Sequence, residues 1–179
     1  MPNDISARIT RRQASLWLTL GGLGAGAQAQ TTSEAALEAK APALPGLGSV
    51  LSVPNITLLD GTAFRAPNGQ PLLVYWWAST CPFCALQSPS MQALWQAQRS
   101  RGLNMVALSI DKTPDEARAY LHKRGYTFPA AWASPEWRRH FPKPKGLPIT
   151  LLLDGQRKVV LAEKGQMFAE DVEAIGQML

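Results

Sequence analysis

The chain has 179 residues and a mass of 19.5 kDa, room for one well-buried core plus an extension but too little for two. Apolar residues make up 46% and charged residues 17%, near ordinary globular values, which argues against both a disordered chain and a protein of many membrane spans. The formal charge of +5 falls to +3 beyond residue 29, and the basic cluster "RRHFPKPK" at 138–145 reads as a solvated, proline-stiffened loop, so nothing points to nucleic-acid binding.

Residues 1–29 read as an export signal. Arg8, Arg11 and Arg12 precede the short apolar run "ASLWLTLGGLGAGA", and "AQA" offers a small-x-small cleavage site after Ala29. The Arg11–Arg12 pair resembles a twin-arginine signal. With four glycines in about 14 residues, the run is too short and too diluted for a spanning helix, which needs roughly 20 apolar residues. Residues 30–52, rich in Ala, Pro, Gly and Ser, read as a flexible linker with a helical turn at 33–40 capped by Ser33, and the domain is expected over 53–179.

Within the domain, "ITLLDG" at 56–61 is a short strand stopped by Asp-Gly, and "PNGQ" is a turn. "PLLVYWWA" at 71–78 has no alternating polarity, as suits a central strand buried on both faces. From Pro82 to about Arg99 the apolar spacing is helical, with Pro82 in the first turn and Pro89 inside, where a kink is expected. "LNMVALSID" is a second buried strand, followed by a helix at 114–124 capped by Thr113. "TFPAAW" is a short extended piece, and "SPEWRRHF" one or two helical turns capped by Ser134. "PITLLLDGQRKVVLAEKG" is a hairpin turning at Asp154–Gly155, and 168–179 is an amphipathic helix. Strands alternating with helices and closing on a hairpin give a three-layer α/β sandwich around a mixed sheet.

The only two cysteines, Cys81 and Cys84, stand between the central strand and its helix. They are either a reactive pair or a local structural clip. A clip closing so small a loop gains little chain entropy. A zinc ribbon lacks its other ligands, since His122 and His140 are separate and suit solvated helix surfaces. Copper delivery would need a third soft ligand, for which Met91 and Met167 are the candidates, although methionine more often fills gaps in cores.

"WASTCPFC" at a strand-to-helix junction, followed about 60 residues later by "GLPIT", resembles the thioredoxin superfamily. The "SID…DEARAYLHKRGYTFP" and "LLLDGQRKVV" segments are similar to its exported TlpA/ResA-type thiol-disulfide oxidoreductases. The resemblance covers 53–179 and implies a thioredoxin-like three-layer α/β/α sandwich with a mixed central sheet. It implies a redox-active Cys81–Cys84 disulfide, with Cys81 as nucleophile and Cys84 as resolving thiol. It further implies a cis-proline at Pro148 whose preceding residue, Leu147, pairs with substrate backbone, while Pro82 and Phe83 between the thiols meet the partner. No cofactor and no metal are expected. The implied partners are protein thiols and disulfides and a membrane-bound reductase that feeds a periplasmic monomer, with cytochrome c maturation among the known tasks of such proteins.

A cysteine at a helix N-terminus faces free N–H groups and the positive end of the dipole, which favours the attacking thiolate. A second thiol one turn further in makes release of a mixed disulfide intramolecular. The chain departs from the pattern at three positions. Tyr75 stands where thioredoxins keep a buried aspartate, Gln87 where ResA-like reductases carry a glutamate, and Thr80 where tryptophan is frequent. Asp111, Glu136 and Glu163 are the acids left to take a thiol proton. A peroxidase of peroxiredoxin type shares the fold, but it wants Thr or Ser where this chain has Ala78.

Overall fold

The computed structural model describes residues 35–179. The export signal, its cleavage point and the proposed cap at Ser33 lie outside the described residues. Among those described, no helix is long and apolar enough to cross a membrane.

Five strands form the main sheet: β3 (Leu72–Trp77), β4 (Asn104–Ser109), β5 (Ala130–Trp132), β6 (Ile149–Leu153) and β7 (Val159–Lys164), in the spatial order β5-β4-β3-β6-β7. The β3–β4 and β4–β5 pairs are parallel, whereas β6 is antiparallel to both β3 and β7, so the sheet is mixed. All six residues of β3 are buried, in keeping with a central strand that lacks polar alternation. A hairpin of β1 (Ile56–Thr57) and β2 (Ala63–Phe64) lies beyond β5, joined to it where Leu59 N–H donates to the Ala130 carbonyl at 2.7 Å. The strand expected over 56–61 is thus shorter, because Asp60 Oδ1 accepts from Thr62 N–H and turns the chain into β2, which the sequence reading did not anticipate.

Three helices pack on one face: α1 (Pro82–Gln98), α2 (Pro114–Arg124) and α3 (Ala169–Ile175). Their core holds Leu73, Tyr75, Trp77, Met91, Met105, Leu152 and Val172. Tyr120 of α2 lies against Trp77, ring centroids 5.4 Å apart. α1 continues through Pro89 as one element. Thr113 Oγ1 accepts from Glu116 N–H at 3.3 Å and caps α2 as expected.

The opposite face buries Leu72, Val74, Trp76, Val106 and Leu151. It is covered by residues 133–147 and by the stretch from Leu44 to Phe64. "SPEWRRHF" forms a 3-10 turn, Trp137–Arg139, with Ser134 Oγ accepting from Trp137 N–H at 3.0 Å. "RRHFPKPK" is not the solvated loop expected from its charge: Arg138, Phe141 and Lys143 are buried, and Phe141 stacks on Trp76 at 5.8 Å. The Phe141 ring and the alkyl stems of the basic residues serve as apolar surface here.

The stretch read as a flexible linker is tied to this body. Gly48 N–H donates to the Val159 carbonyl at 2.8 Å, Val159 N–H to the Ser49 carbonyl at 2.9 Å, and Leu51 N–H to the Arg157 carbonyl at 3.0 Å. Its prolines and glycines therefore shape an extended strap along the β6–β7 hairpin.

Candidate active site

The two cysteines sit where the buried strand β3 delivers the chain to the start of α1. Cys81 is the N-cap, in extended backbone, with Pro82 in the first turn, where a missing N–H costs nothing. Cys84 N–H donates to Cys81 Sγ at 3.1 Å, so the sulfur occupies the place that a serine or aspartate oxygen fills in an ordinary cap. The two sulfurs are joined in a disulfide, with Cα atoms 5.2 Å apart. Cys81 is half-buried and Cys84 is 1% exposed, so one sulfur of the pair is open to a partner. The first turn of α1 holds no acidic residue to oppose a thiolate at Cys81.

The chain entering the site is pinned by Asp111, which is buried just beyond β4. Its Oδ1 accepts from Ser79 N–H at 2.9 Å and from Ser79 Oγ at 2.7 Å, and its Oδ2 accepts from Ser109 Oγ at 2.7 Å. This carboxylate is committed to the loop two residues before Cys81. It acts as an anchor there, a role the sequence reading missed; the available signal was a lone acid ending a buried strand. Of the other two acids, Glu136 is exposed and pairs with Arg139 at 3.1 Å, and Glu163 is exposed on β7, paired in register with Thr150.

Tyr75 and Gln87 hold the far side of the pair. The Tyr75 hydroxyl reaches the Cys84 carbonyl at 3.3 Å and Ser88 Oγ at 3.2 Å, while Ser88 Oγ donates to the same carbonyl at 2.7 Å. Burial pushes the Tyr75 phenol above its ordinary value, outweighing the opposing pull of the Ser88 hydrogen bond. It therefore stays protonated at neutral pH and cannot receive a thiol proton. The buried Gln87 amide is engaged at both ends: Nε2 donates to Thr150 Oγ1 at 2.9 Å, and Oε1 accepts from Met167 N–H at 2.9 Å. It ties α1 to β6 and to the turn before α3.

The Leu147–Pro148 peptide bond is cis. Leu147, Gly146 and Phe83 line a shared groove of about 320 Å³ with Lys164, Gly165, Gln166 and Phe168. Phe83 is 57% and Phe168 71% exposed, a pair of aromatic walls too open to be explained by packing. The structure thus brings Phe83, from between the two cysteines, and Leu147, next to the cis-proline, together around one groove. Phe168 was not among the residues picked out from sequence, because nothing in its local pattern distinguishes it from a helix-start residue. Met91 is fully buried in the core and Met167 9% exposed, which makes both packing residues.

A cysteine disulfide capping a helix at the end of a buried strand, with a cis-proline loop beside it, defines a thiol-disulfide oxidoreductase of thioredoxin-like fold. Residues 52–166 match the AhpC/TSA family, and the chain belongs to that family. It is 25% identical over 120 residues to the thiol-disulfide oxidoreductase ResA of Bacillus thuringiensis, covering 66% of this chain and 69% of that one. It is 27% identical over 150 residues to the thiol:disulfide interchange protein HelX of Rhodobacter capsulatus, covering 80% of this chain and 75% of the relative. A solved thiol:disulfide interchange protein of the thioredoxin family from Chlorobium tepidum superposes with a TM-score of 0.66 at 22% identity, over 75% of this chain and 97% of its own.

Proposed function

We propose that the protein is an exported, periplasmic monomer that reduces protein disulfides through Cys81 and Cys84. The observation that carries this reading is the asymmetry of the pair: an accessible sulfur at a helix N-terminus and a buried sulfur one turn inside. In the reduced protein the Cys81 thiolate attacks one sulfur of a substrate disulfide and the other leaves as a thiolate. Cys84 then attacks Cys81 Sγ, releasing the second substrate sulfur as a thiolate. Its own thiol proton goes to a departing substrate thiolate, since Tyr75 is held protonated and Gln87 is neutral. The products are the Cys81–Cys84 disulfide and a reduced substrate with one thiol and one thiolate, the latter taking its proton from solvent. A membrane-bound reductase then returns two electrons and one proton to the pair, restoring the Cys81 thiolate and the Cys84 thiol.

The groove fits an extended segment of substrate. Leu147 would offer its backbone to the substrate chain, and Phe83 and Phe168 would cover apolar side chains beside its cysteine. Direction is tested by the reduction potential of the pair. A value near that of thioredoxin, about −270 mV, supports a reductant. A value near that of DsbA, about −120 mV, would reverse the direction. One observation favours that second reading: no acidic side chain stands in the first turn of α1, so nothing on the helix opposes a Cys81 thiolate, which favours the reduced form.

A further inference from the structure

The loop that ends in Pro148 is braced by an ion pair between a buried lysine and a partly exposed glutamate that the chemistry above does not use. Lys143 has a side chain only 4% exposed, and its Nζ pairs with Glu38 Oε2 at 2.7 Å. The same ammonium donates to the Pro144 carbonyl at 2.8 Å and to the Gly146 carbonyl at 2.9 Å. Its three protons are then all placed. Glu38 uses its other oxygen, Oε1, to accept from Gly146 N–H at 2.7 Å. Both polar groups of Gly146 are therefore held by one cation and one anion, and the anion comes from the N-terminal strap. A second tie runs alongside, Lys145 N–H to the Pro42 carbonyl at 2.9 Å.

The consequence reaches the groove through one peptide plane. In a trans peptide the carbonyl and the following N–H point in opposite directions. Holding the Gly146 carbonyl on Lys143 therefore fixes the direction of Leu147 N–H, on the side away from the ammonium. Gly146 has φ of 99°, in the left-handed region, and a Cβ there would stand 3.2 Å from Lys164 Cδ. The plane is thus set by the pair and by a glycine that permits the turn.

We propose that Glu38 and Lys143 are positioning residues that fix the Gly146–Leu147 peptide plane for substrate pairing, so that the N-terminal strap sets the affinity of the site for extended protein substrates. This rests on the reading of the site as a protein-disulfide reductase. Neither residue touches the sulfurs, so the pair governs how a peptide is held and leaves the reactivity of Cys81 alone.

The test uses the full chain and three variants: Glu38→Ala, Lys143→Met, and the neutral double variant Glu38→Gln with Lys143→Met, which leaves no unpaired buried charge and guards against loss of folding. Turnover of insulin and alkylation of reduced Cys81 by iodoacetamide are measured for each. All three should raise KM for insulin about tenfold, the scale of one lost charge-assisted hydrogen bond, with kcat and the alkylation rate within about twofold of wild type. An unchanged KM in the folded double variant overturns the proposal even if its melting temperature falls, because the pair is then only a fastening for the strap. A wild-type protein that is alkylated at Cys81 but reduces no protein disulfide overturns the functional reading first, and this proposal with it.

Discussion

Replacing Gln87 with leucine removes two buried hydrogen bonds while keeping roughly the same side-chain volume. Gln87 is 1% exposed, so water cannot replace its partners. Met167 N–H loses its acceptor and becomes a buried unpaired donor, at a cost of about 1–3 kcal/mol. Thr150 Oγ1 loses the Nε2 donor, but its hydroxyl can rotate, and a cost of about 0.5–1 kcal/mol is reasonable. The apolar surface that replaces the amide returns about 1 kcal/mol. The net expectation is a loss of about 0.5–3 kcal/mol, which at roughly 2–4 °C per kcal/mol for a chain of this size lowers Tm by about 1–12 °C. Urea denaturation of the oxidised protein measures it with the disulfide closed in both forms. The variant should also raise KM for a protein substrate, because Met167 precedes Phe168, a wall of the groove. A leucine variant within about 0.5 kcal/mol of wild type, at unchanged m-value, would refute the claim that this amide joins α1 to β6 and the α3 turn.

Gln87→Glu should keep the Met167 contact and turn the Thr150 hydroxyl into a donor, while burial raises the new carboxyl above the ordinary glutamate range. Its stability relative to wild type should be preserved below about pH 4.3 and should fall as pH rises through the folded-state pKa, as urea midpoints across pH would show. Glu38 has the opposite sign. Its partial burial pushes the carboxyl up, but the Lys143 and Gly146 hydrogen bonds and the charges of Lys143 and Lys145 outweigh this and hold it below the ordinary glutamate value. Its contribution is present above that value and is lost as pH falls through the folded pKa, so Glu38→Gln should flatten the acid limb of the stability curve. Asp111→Ala should cost about 2–3 kcal/mol and slow disulfide exchange by loosening the Ser79 loop, read by urea denaturation and insulin turnover. Trp76→Phe should cost less than about 2 kcal/mol by thermal unfolding, because the buried indole N–H it removes has no hydrogen-bond partner among the described residues, whereas Trp76→Ala should cost about 3–5 kcal/mol.

The elements with a strong local signal were readable in advance. β3 announced itself as an unbroken apolar run, α1 by helical apolar spacing after Pro82, α2 by the Thr113 N-cap followed by Pro, and the β6–β7 hairpin by Asp-Gly between apolar runs. The cysteine pair and the family that owns it followed from the order of those elements. What could not be read was set by contacts across long separations. Glu38 and Gly146 lie 108 residues apart, and Asp111 and Ser79 lie 32 apart. Charge alone placed Lys143 in solvent, whereas a carboxylate and two carbonyls provided for its burial. Gln87 looked like a missing acid, because composition at one position cannot show that both ends of an amide are engaged. The face of the sheet opposite the helices was equally opaque, since its cover comes from irregular chain with no period to detect.

The central claim is that Cys81 attacks and Cys84 resolves. It is tested most directly by exposing Cys84→Ala and Cys81→Ala to the same disulfide-bearing protein and separating the products under non-reducing conditions. The account predicts a stable mixed disulfide on Cys81 in the Cys84→Ala protein and little or none in the Cys81→Ala protein. Equal trapping by the two variants, or trapping on Cys84 alone, would contradict it.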